Sequence, residues 1–164
     1  MYKEFARFVE VLQPKVVVLE NVSGMKSTGS FVSDIETHLS EIGKMEVKSK
    51  LLYAPDYGVP QKRTRLVFVG IRDKVFDFKD IIKSHGPETE REYVTIKDAI
   101  GDLPTLNTKE TKTKYQKKPF SDFQQLMRLN TNGTVTGHTA PNHPLATVEK
   151  IKNTWAAINY PDGV

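Results

Sequence analysis

The 164-residue sequence contains no cysteine. This absence excludes disulfide bonds, thiolate zinc sites and every mechanism in which this chain supplies a cysteine nucleophile. Long hydrophobic runs are also missing, since no stretch approaches the roughly 18 apolar residues of a membrane-spanning helix. The first residues, MYKEFARFVEVLQP, are amphipathic and include acidic side chains, which is typical of neither a signal peptide nor a transit peptide. We therefore expect a cytoplasmic protein that does not bind membranes.

Neither half of the sequence carries a strong excess of charge. The net charge is +4, and the parts before and after Asp73 carry about +2 each. One segment stands out: residues 107–118, NTKETKTKYQKK, contain five lysines and one glutamate. Such a run suits contacts with nucleic-acid phosphates, but a solvated, mobile loop has the same composition. The candidate phosphate contacts in this segment are Lys112, Lys114, Lys117 and Lys118.

Apolar periodicity predicts an α/β arrangement in the first half of the chain. Residues 2–12 and 31–42 carry apolar side chains at helical spacing. Apolar, β-branched runs predict strands at residues 15–19, 45–53 and 65–71. The first of these runs is continuous, which indicates a strand buried on both faces. Gly43 follows the second helix and is predicted as its C-cap.

The pattern becomes irregular after about Phe78. The predicted elements there are a short strand with a short helix and then two further helices, at residues 92–106, 120–129 and 146–158. We expect two regions, an α/β region at residues 1–76 and an irregular, basic region at residues 77–164. The sequence stops at PDGV without a terminal element, which indicates a truncation.

The first predicted strand runs directly into Glu20 and Asn21. A carboxylate at the end of a buried strand must be hydrated, paired with another group or part of a functional site, because burial of an unpaired charge is costly. In doubly wound sheets, ligands bind beyond the carboxyl ends of the parallel strands, so Glu20 marks a candidate site. The position also suits a hydrogen bond that stabilises the turn, and the local sequence does not separate these two roles.

A second candidate set begins the strand predicted at residues 65–71. Gln61, Arg63 and Arg65 alternate along the chain, so their side chains point the same way in an extended backbone. Two arginines at the start of a buried strand need anionic partners, and guanidinium groups suit carboxylates, phosphates and base edges. A salt-bridged strand entry is the simpler alternative. This set reaches the same site as Glu20 only if the two strands run antiparallel.

Three segments carry a recognisable combination of motifs. FARFVEVLQPKVVVLENVSGM contains E-N-V, LLYAPDYGVPQKRTRLVFVGIR contains Q-x-R-x-R behind a Y-G-V-P turn, and FVSDIETHLSEIG supplies the helix between them. Together these segments resemble the central region of the DNA (cytosine-5) methyltransferases. The resemblance covers residues 2–73 in order. It continues more loosely through TIKDAIGDLP and NHPLATVEKIK, which resemble the start of the family's target recognition region.

The resemblance implies both a fold and a reaction. The fold is part of an S-adenosylmethionine-dependent methyltransferase (Rossmann-like) α/β sheet with one antiparallel strand, followed by a partial, irregular target recognition region. The reaction transfers a methyl group from S-adenosylmethionine to C5 of a cytosine that is flipped out of DNA. The biological setting that the resemblance implies is bacterial restriction-modification.

The resemblance also implies residue roles. Glu20 would hold N3 and the exocyclic amine of the flipped cytosine as a carboxyl group that shares a proton with the base. Asn21 would fix the turn, and Arg65 would contact the cytosine O2. Arg63 and Gln61 would brace the catalytic loop and the nearby backbone. In the turn-rich loop of the target region, His138 is a candidate contact to the DNA backbone, whereas the histidine spacing predicts no metal site.

The sequence departs from the family pattern in several motifs. The F-x-G-x-G methyl-donor motif, the Pro-Cys nucleophile motif and the closing motifs are absent. We therefore expect a central fragment of a longer enzyme, which alone neither methylates DNA nor binds S-adenosylmethionine. Two alternatives stay open: a tRNA cytosine-5 methyltransferase of the same family, and a non-catalytic nucleic-acid-binding or complementing subunit. A sheet without its first strands exposes an edge, so self-association through that edge is also expected.

Overall fold

A computed structural model of the protein describes residues 2–24 and 30–157. The chain forms two compact units, Met1–Glu92 and Tyr93–Val164, which we call unit 1 and unit 2. The region boundary that the sequence places after residue 76 stays a prediction, because backbone compactness does not test where a functional region begins. Within the described part of the chain, no helix is long and apolar enough to cross a membrane.

Unit 1 contains helices and strands in the predicted order. They are α1 Tyr2–Leu12, β1 Val16–Val22, α2 Phe31–Gly43, β2 Val47–Tyr53 and β3 Thr64–Ile71. The strands form one sheet in the order β1-β3-β2, and β3 is antiparallel to both neighbours. The predicted reversal of the third strand is therefore confirmed, and β3 is the central strand of this α/β unit.

The core of unit 1 lies between one face of the sheet and the two helices. α1 contributes Ala6 and Val9, and α2 contributes Ile35 and Leu39, as their helical spacing predicts. The sheet contributes apolar residues from all three strands, namely Val17, Val47, Leu66 and Phe68. Phe68, on the central strand, is completely buried. This packing fixes β3 and with it the arginine-bearing segment at the start of that strand.

Gly43 is not the C-cap that the sequence predicts. It is the last residue of α2, and Lys44 takes the left-handed conformation with φ of 52°. A Cβ atom on Gly43 would lie 3.3 Å from side-chain atoms of both Val9 and Met45. The glycine therefore allows close packing against α1, and this contact, rather than backbone reversal, accounts for its position.

The prediction that the first strand is buried on both faces is wrong. Exposed and less exposed residues alternate along β1, and Val16, Val18 and Val22 are each more than half exposed. The physical reason is the position of β1 at the edge of the sheet, with α1 and α2 packed against one face only. In the described chain β1 pairs with β3 alone, so its outer edge carries no strand.

Unit 2 consists of short helices joined by irregular segments. Its helices are α3 Ile96–Ile100, α4 Asp122–Arg128 and α5 Leu145–Ala157. Thr95 and Asp98 form a capping box at the start of α3: each side chain accepts a hydrogen bond of 3.0 Å from the other residue's backbone N–H. The short strand predicted within residues 92–106 does not form, because Thr95 is used as the helix cap and the residues just before it have no regular structure.

Candidate active site

The antiparallel pairing of β1 and β3 brings the two candidate sets together. In this register Glu20 lies opposite Val67, and Val22 lies opposite Arg65. Glu20 and Arg65 are thus diagonal neighbours on one face of the sheet, within reach of long side chains. The Arg65 Nε donates to the Glu20 carboxylate, with 2.6 Å between Nε and Oε1. The two strands are therefore antiparallel, which is the condition derived from the sequence for Glu20 and Arg65 to share one site.

Both residues of this ion pair are among those that line an open cleft of about 360 Å³. The lining residues come from α1, from the end of β1 and from the start of β3: Tyr2, Phe5, Leu19, Glu20, Asn21, Val22, Arg63 and Arg65. Glu20, Asn21, Arg63 and Arg65, the four predicted catalytic residues, all lie here. Gln61 is exposed and is not among the lining residues. The catalytic roles of the four predicted residues remain predictions, because the structure shows that they lie close together but does not show a reaction.

Sequence reasoning missed the aromatic side of the cleft. Phe5 was assigned only to the apolar stripe of α1, and Tyr2 was assigned no role. The Tyr2 hydroxyl forms a hydrogen bond with Nδ1 of His38, and its ring stands edge-on to the Phe31 ring at 6.5 Å between centroids. Partial burial, followed by the nearby negative charge of Asp34, raises the pKa of Tyr2. The Tyr2 side chain therefore contributes a neutral hydroxyl and an aromatic ring to the lining of the cleft.

The polar groups of the cleft differ in their exposure. The Glu20 side chain is 57% exposed, whereas that of Arg65 is 23% exposed. Arg65 Nη1 also donates to the Thr64 carbonyl at 2.9 Å, and the Asn21 side-chain oxygen accepts from the Val22 N–H at 2.8 Å. A carboxylate beside a guanidinium presents acceptors and donors together, which suits a planar ring that carries both kinds of polar group.

The turn before β3 holds the arginine-bearing segment in place. The Ala54 N–H donates to the Arg63 carbonyl at 2.8 Å and closes the connection from β2 to β3. Gly58 follows the 3₁₀ turn Ala54–Tyr57 with φ of 77°, a left-handed conformation that favours glycine. The Asp56 carbonyl accepts from the Ser84 and His85 N–H groups at 2.9 and 3.1 Å. A later part of unit 1 therefore packs on this turn.

A sequence model of the C-5 cytosine-specific DNA methylase family matches residues 1–163. The chain belongs to this family. It is 33% identical to Type II methyltransferase M1.HphI of Haemophilus parahaemolyticus over 92% of this chain and 34% of that protein. It is 31% identical to Type II methyltransferase M.DdeI of Desulfomicrobium norvegicum, over all of this chain and 40% of that protein.

A solved structure agrees with this assignment at the level of the fold. It is described as a DNA modification methyltransferase encoded within an E. coli prophage. The TM-score is 0.59 with 22% sequence identity, covering 93% of this chain and 43% of that structure. The chain thus spans well under half the length of the relatives it matches, and within the family it corresponds to one segment of a longer protein.

The basic segment of this methylase chain, residues 107–118, is attached to the rest of unit 2 by backbone hydrogen bonds. The Val135 N–H donates to the Thr113 carbonyl at 2.9 Å, and the Ala140 N–H donates to the Glu110 carbonyl at 2.8 Å. Isolated β-bridges join Thr111 to Thr139 and Lys114 to Thr134. The segment is therefore held along its length, unlike the free, solvated loop that its composition also allowed.

The predicted DNA contacts in unit 2 divide into engaged and exposed side chains. The Lys112 ammonium donates to the Thr105 carbonyl at 2.7 Å and lies 3.1 Å from the Glu110 carboxylate. His138 Nε2 lies 2.7 Å from the Pro104 carbonyl. The exposed candidates are Lys114, Lys117 and Lys118. Direct DNA contact by any of these residues stays a prediction, and the exposed lysines are the better placed for it.

The methylases of this family use S-adenosylmethionine as their methyl donor, but the described residues do not fit a donor site. The sequence has no F-x-G-x-G motif. All strand pairs of the described sheet are antiparallel, so it offers no adjacent parallel strand ends at which a nucleotide-like ligand would bind. The described part of the chain also lacks any group of three or more metal-ligating side chains. We derive no donor or metal chemistry from it.

Proposed function

We propose that this chain is the cytosine-binding segment of a DNA (cytosine-5) methyltransferase. The observation that carries the proposal is the ion pair of Glu20 and Arg65 across antiparallel strands, at 2.6 Å in an open cleft. Because the two motifs lie on separate strands more than forty residues apart in the sequence, the fold is what joins them into one site. Membership of the methylase family supports the choice of cytosine as the ring that fits there.

The roles follow from the groups that each residue presents. The Glu20 carboxyl group holds the exocyclic amine and N3 of the flipped cytosine, and the Arg65 guanidinium donates to its O2. Asn21 fixes the strand end through its hydrogen bond to the Val22 N–H. Arg63, also in the cleft, and Gln61, on the preceding turn, brace the neighbouring backbone. The chain has no cysteine, so it supplies base binding and no nucleophilic attack.

DNA binding by unit 2 forms the second part of the proposal. The exposed ammonium groups of Lys114, Lys117 and Lys118 neutralise backbone phosphates. Lys112 and His138, joined by a 3.2 Å hydrogen bond from the Lys112 N–H to the His138 carbonyl, add to this binding after exchange of their present side-chain partners. Relatives named as Type II methyltransferases support a role in restriction-modification, in the cytoplasm where bacterial DNA lies.

We also propose that the isolated chain binds no S-adenosylmethionine and associates with itself through the open edge of β1. The exposed valines of that strand make its edge region apolar, and an unpaired strand edge accepts another strand. Sedimentation velocity over a range of concentrations measures this directly. A species that remains monomeric throughout would contradict the self-association, without bearing on cytosine binding.

The cleft is tested by NMR titration of the 164-residue chain with deoxycytidine monophosphate. We expect weak binding with shifts confined to the amides around Glu20 and Arg65. Glu20→Gln should weaken cytidine binding at least fivefold, whereas Glu41→Gln, an exposed carboxylate on α2, is the matched control and should leave it unchanged. Thymidine monophosphate, which lacks the exocyclic amine, should bind more weakly than the cytosine nucleotide. Equal binding of the two nucleotides, or equal effects of the two variants, would refute the cytosine site.

A methylation assay with labelled S-adenosylmethionine and DNA separates base binding from catalysis. We expect no transfer above background by the isolated chain, because no thiolate is available to attack the cytosine. Activity of the isolated chain would show that a different chemistry operates.

A further inference from the structure

Asp102 and Arg128 form a buried ion pair in unit 2 that the cleft does not use. The Asp102 side chain is fully buried, and that of Arg128 is 17% exposed. Arg128 Nε donates to one carboxylate oxygen at 3.0 Å and Nη2 donates to the other at 2.9 Å. Nη2 also donates to the Ala99 carbonyl at 3.1 Å. This bidentate arrangement fixes the guanidinium in one orientation between α3 and α4.

The same two residues hold the lysine loop, residues 114–118. The Asp102 carbonyl accepts from the Gln116 N–H at 3.0 Å and from the Lys117 N–H at 3.3 Å. The Arg128 guanidinium carbon lies 5.0 Å from the centroid of the Tyr115 ring, a cation–π contact. Three consecutive residues of the loop therefore contact Asp102 or Arg128, Tyr115 through the guanidinium and the next two through the Asp102 backbone carbonyl, while the lysine side chains on both sides of them are exposed.

An ion pair is an expensive way to fill the interior of a small unit, since apolar side chains of similar volume stabilise as well. What a bidentate pair adds is a single geometry, because the planar fork and the carboxylate match in only one orientation. Here that geometry places the guanidinium against the Tyr115 ring and anchors the side chain of Asp102, the residue whose carbonyl accepts from the Lys117 N–H. The loop consequently has its conformation in the absence of a bound anion.

We propose that Asp102 and Arg128 are positioning residues that hold the lysine loop in the conformation in which Lys117 and Lys118 contact two DNA phosphates. This rests on the proposed DNA binding by unit 2. We assign neither residue a DNA contact, because the Asp102 carboxylate is buried and Nε and Nη2 of Arg128 donate to that carboxylate and to the Ala99 carbonyl. Their effect on DNA binding is transmitted through the loop.

The test is a double-mutant cycle of DNA affinity, measured by fluorescence anisotropy with the 164-residue chain and a labelled duplex over a range of salt concentrations. Lys117→Gln combined with Lys118→Gln should reduce the salt slope of log K by about 1.8, at about 0.9 per phosphate contact. The Kd should rise by about eightfold per lost contact near 0.1 M salt. Arg128→Lys keeps the charge but not the bidentate fork. Like the lysine substitutions, it should raise Kd and reduce the salt slope of log K.

The decisive result is the combination of the two changes. Once the lysines are replaced, Arg128→Lys should have almost no further effect on Kd, because the loop no longer offers phosphate contacts. Additive effects, or an Arg128→Lys variant that binds DNA like the wild type, would overturn the positioning role and leave the proposed DNA binding intact. Lysine variants that bind as tightly as the wild type would instead overturn the DNA-binding proposal, and the positioning role with it.

Two controls keep the cycle interpretable. Lys44→Gln combined with Lys79→Gln removes the same charge from exposed sites in unit 1 and should reduce affinity much less. Unfolding curves report whether Arg128→Lys still folds. Should it fail to fold, Tyr115→Leu replaces it in the cycle, since this change removes the ring contact and leaves the ion pair in place. In the protein that carries Lys117→Gln and Lys118→Gln, Tyr115→Leu should likewise have almost no further effect on Kd. Additive effects of these changes would again overturn the proposal.

Discussion

Replacing Gly58 with alanine should destabilise unit 1 for two separable reasons. Gly58 has φ of 77°, and a Cβ atom there would lie 2.7 Å from Cε1 and 2.9 Å from Nδ1 of the His85 ring. The first reason is local to the backbone, because an alanine in the left-handed region is strained wherever it stands. The second is a contact between residues distant in the sequence, because the His85 ring must move to admit the methyl group.

The magnitudes follow from these two causes. A left-handed conformation costs a non-glycine residue about 1–2 kcal/mol. Moving the His85 ring breaks the 2.9 Å hydrogen bond between Ser84 Oγ and His85 Nδ1, a loss of about 1 kcal/mol. Gly58→Ala should therefore reduce the free energy of unfolding by about 2–3 kcal/mol. In a chain that already carries His85→Ala, the same substitution should cost about 1 kcal/mol less, since only the backbone strain remains.

Urea unfolding of the four proteins of this cycle, followed by circular dichroism, measures both terms. The slope of free energy against urea should not change, because the surface exposed on unfolding is nearly the same. A cost of Gly58→Ala that is equal with and without the His85 ring would refute the steric contact. A cost near zero in both backgrounds would refute the left-handed turn as well, and with it the account of how Arg63 is presented to the cleft.

Three further outcomes are expected. Phe68→Ala, at the fully buried centre of β3, should cost about 3–5 kcal/mol in urea unfolding, and a cost below that of an exposed valine-to-alanine change would contradict the described core. Glu20→Gln should change the stability by less than about 1 kcal/mol despite its effect on cytidine binding, because its ion pair is half exposed. Hydrogen bonds from the Thr95 hydroxyl and backbone N–H lower the pKa of Asp98. The stabilisation by Asp98 is thus fully present above its unfolded pKa of about 3.9 and is lost as the pH falls through the folded value. The protection factors of the α3 amides, which are corrected for the intrinsic pH dependence of exchange, should show this loss, and Asp98→Asn should remove the contribution of this carboxyl group.

The sequence predicted those parts of the fold that depend on local pattern. Helical spacing of apolar residues located α1 and α2, and apolar β-branched runs located the strands. The antiparallel direction of β3 came from a chemical requirement, that Glu20 and Arg65 share one site, and the register confirms it. Residue pattern and motif spacing together therefore sufficed for the strands, for the reversal of β3 and for four of the eight residues that line the cleft.

The sequence did not predict the contacts between distant segments of the chain. A run of valines has the same composition in a strand covered on one face as in one covered on both, so the exposure of Val16 and Val18 followed only from the packing of both helices against one face of the sheet. Gly43 ends a helix, which predicts a cap, but its contact with Val9 determined its role. The ion pair of Asp102 and Arg128 joins residues 26 positions apart with no periodic signal between them.

The exposure of Glu20 limits which part of the proposed reaction the described residues can support. A carboxyl group that shares a proton with a flipped base needs a dry surrounding, because water competes for the same hydrogen bonds. In unit 1 more than half of the Glu20 side chain is exposed to solvent, and among the described residues its ion-pair partner is Arg65. The described residues thus fix the positions of Glu20 and Arg65, the groups proposed to bind the base, but leave the Glu20 carboxylate in contact with water. In the proposed function, base recognition and base activation are therefore distinct steps: the pairing of β1 with β3 places the groups proposed to recognise the base, whereas activation would require a cover over Glu20 that the described residues do not provide.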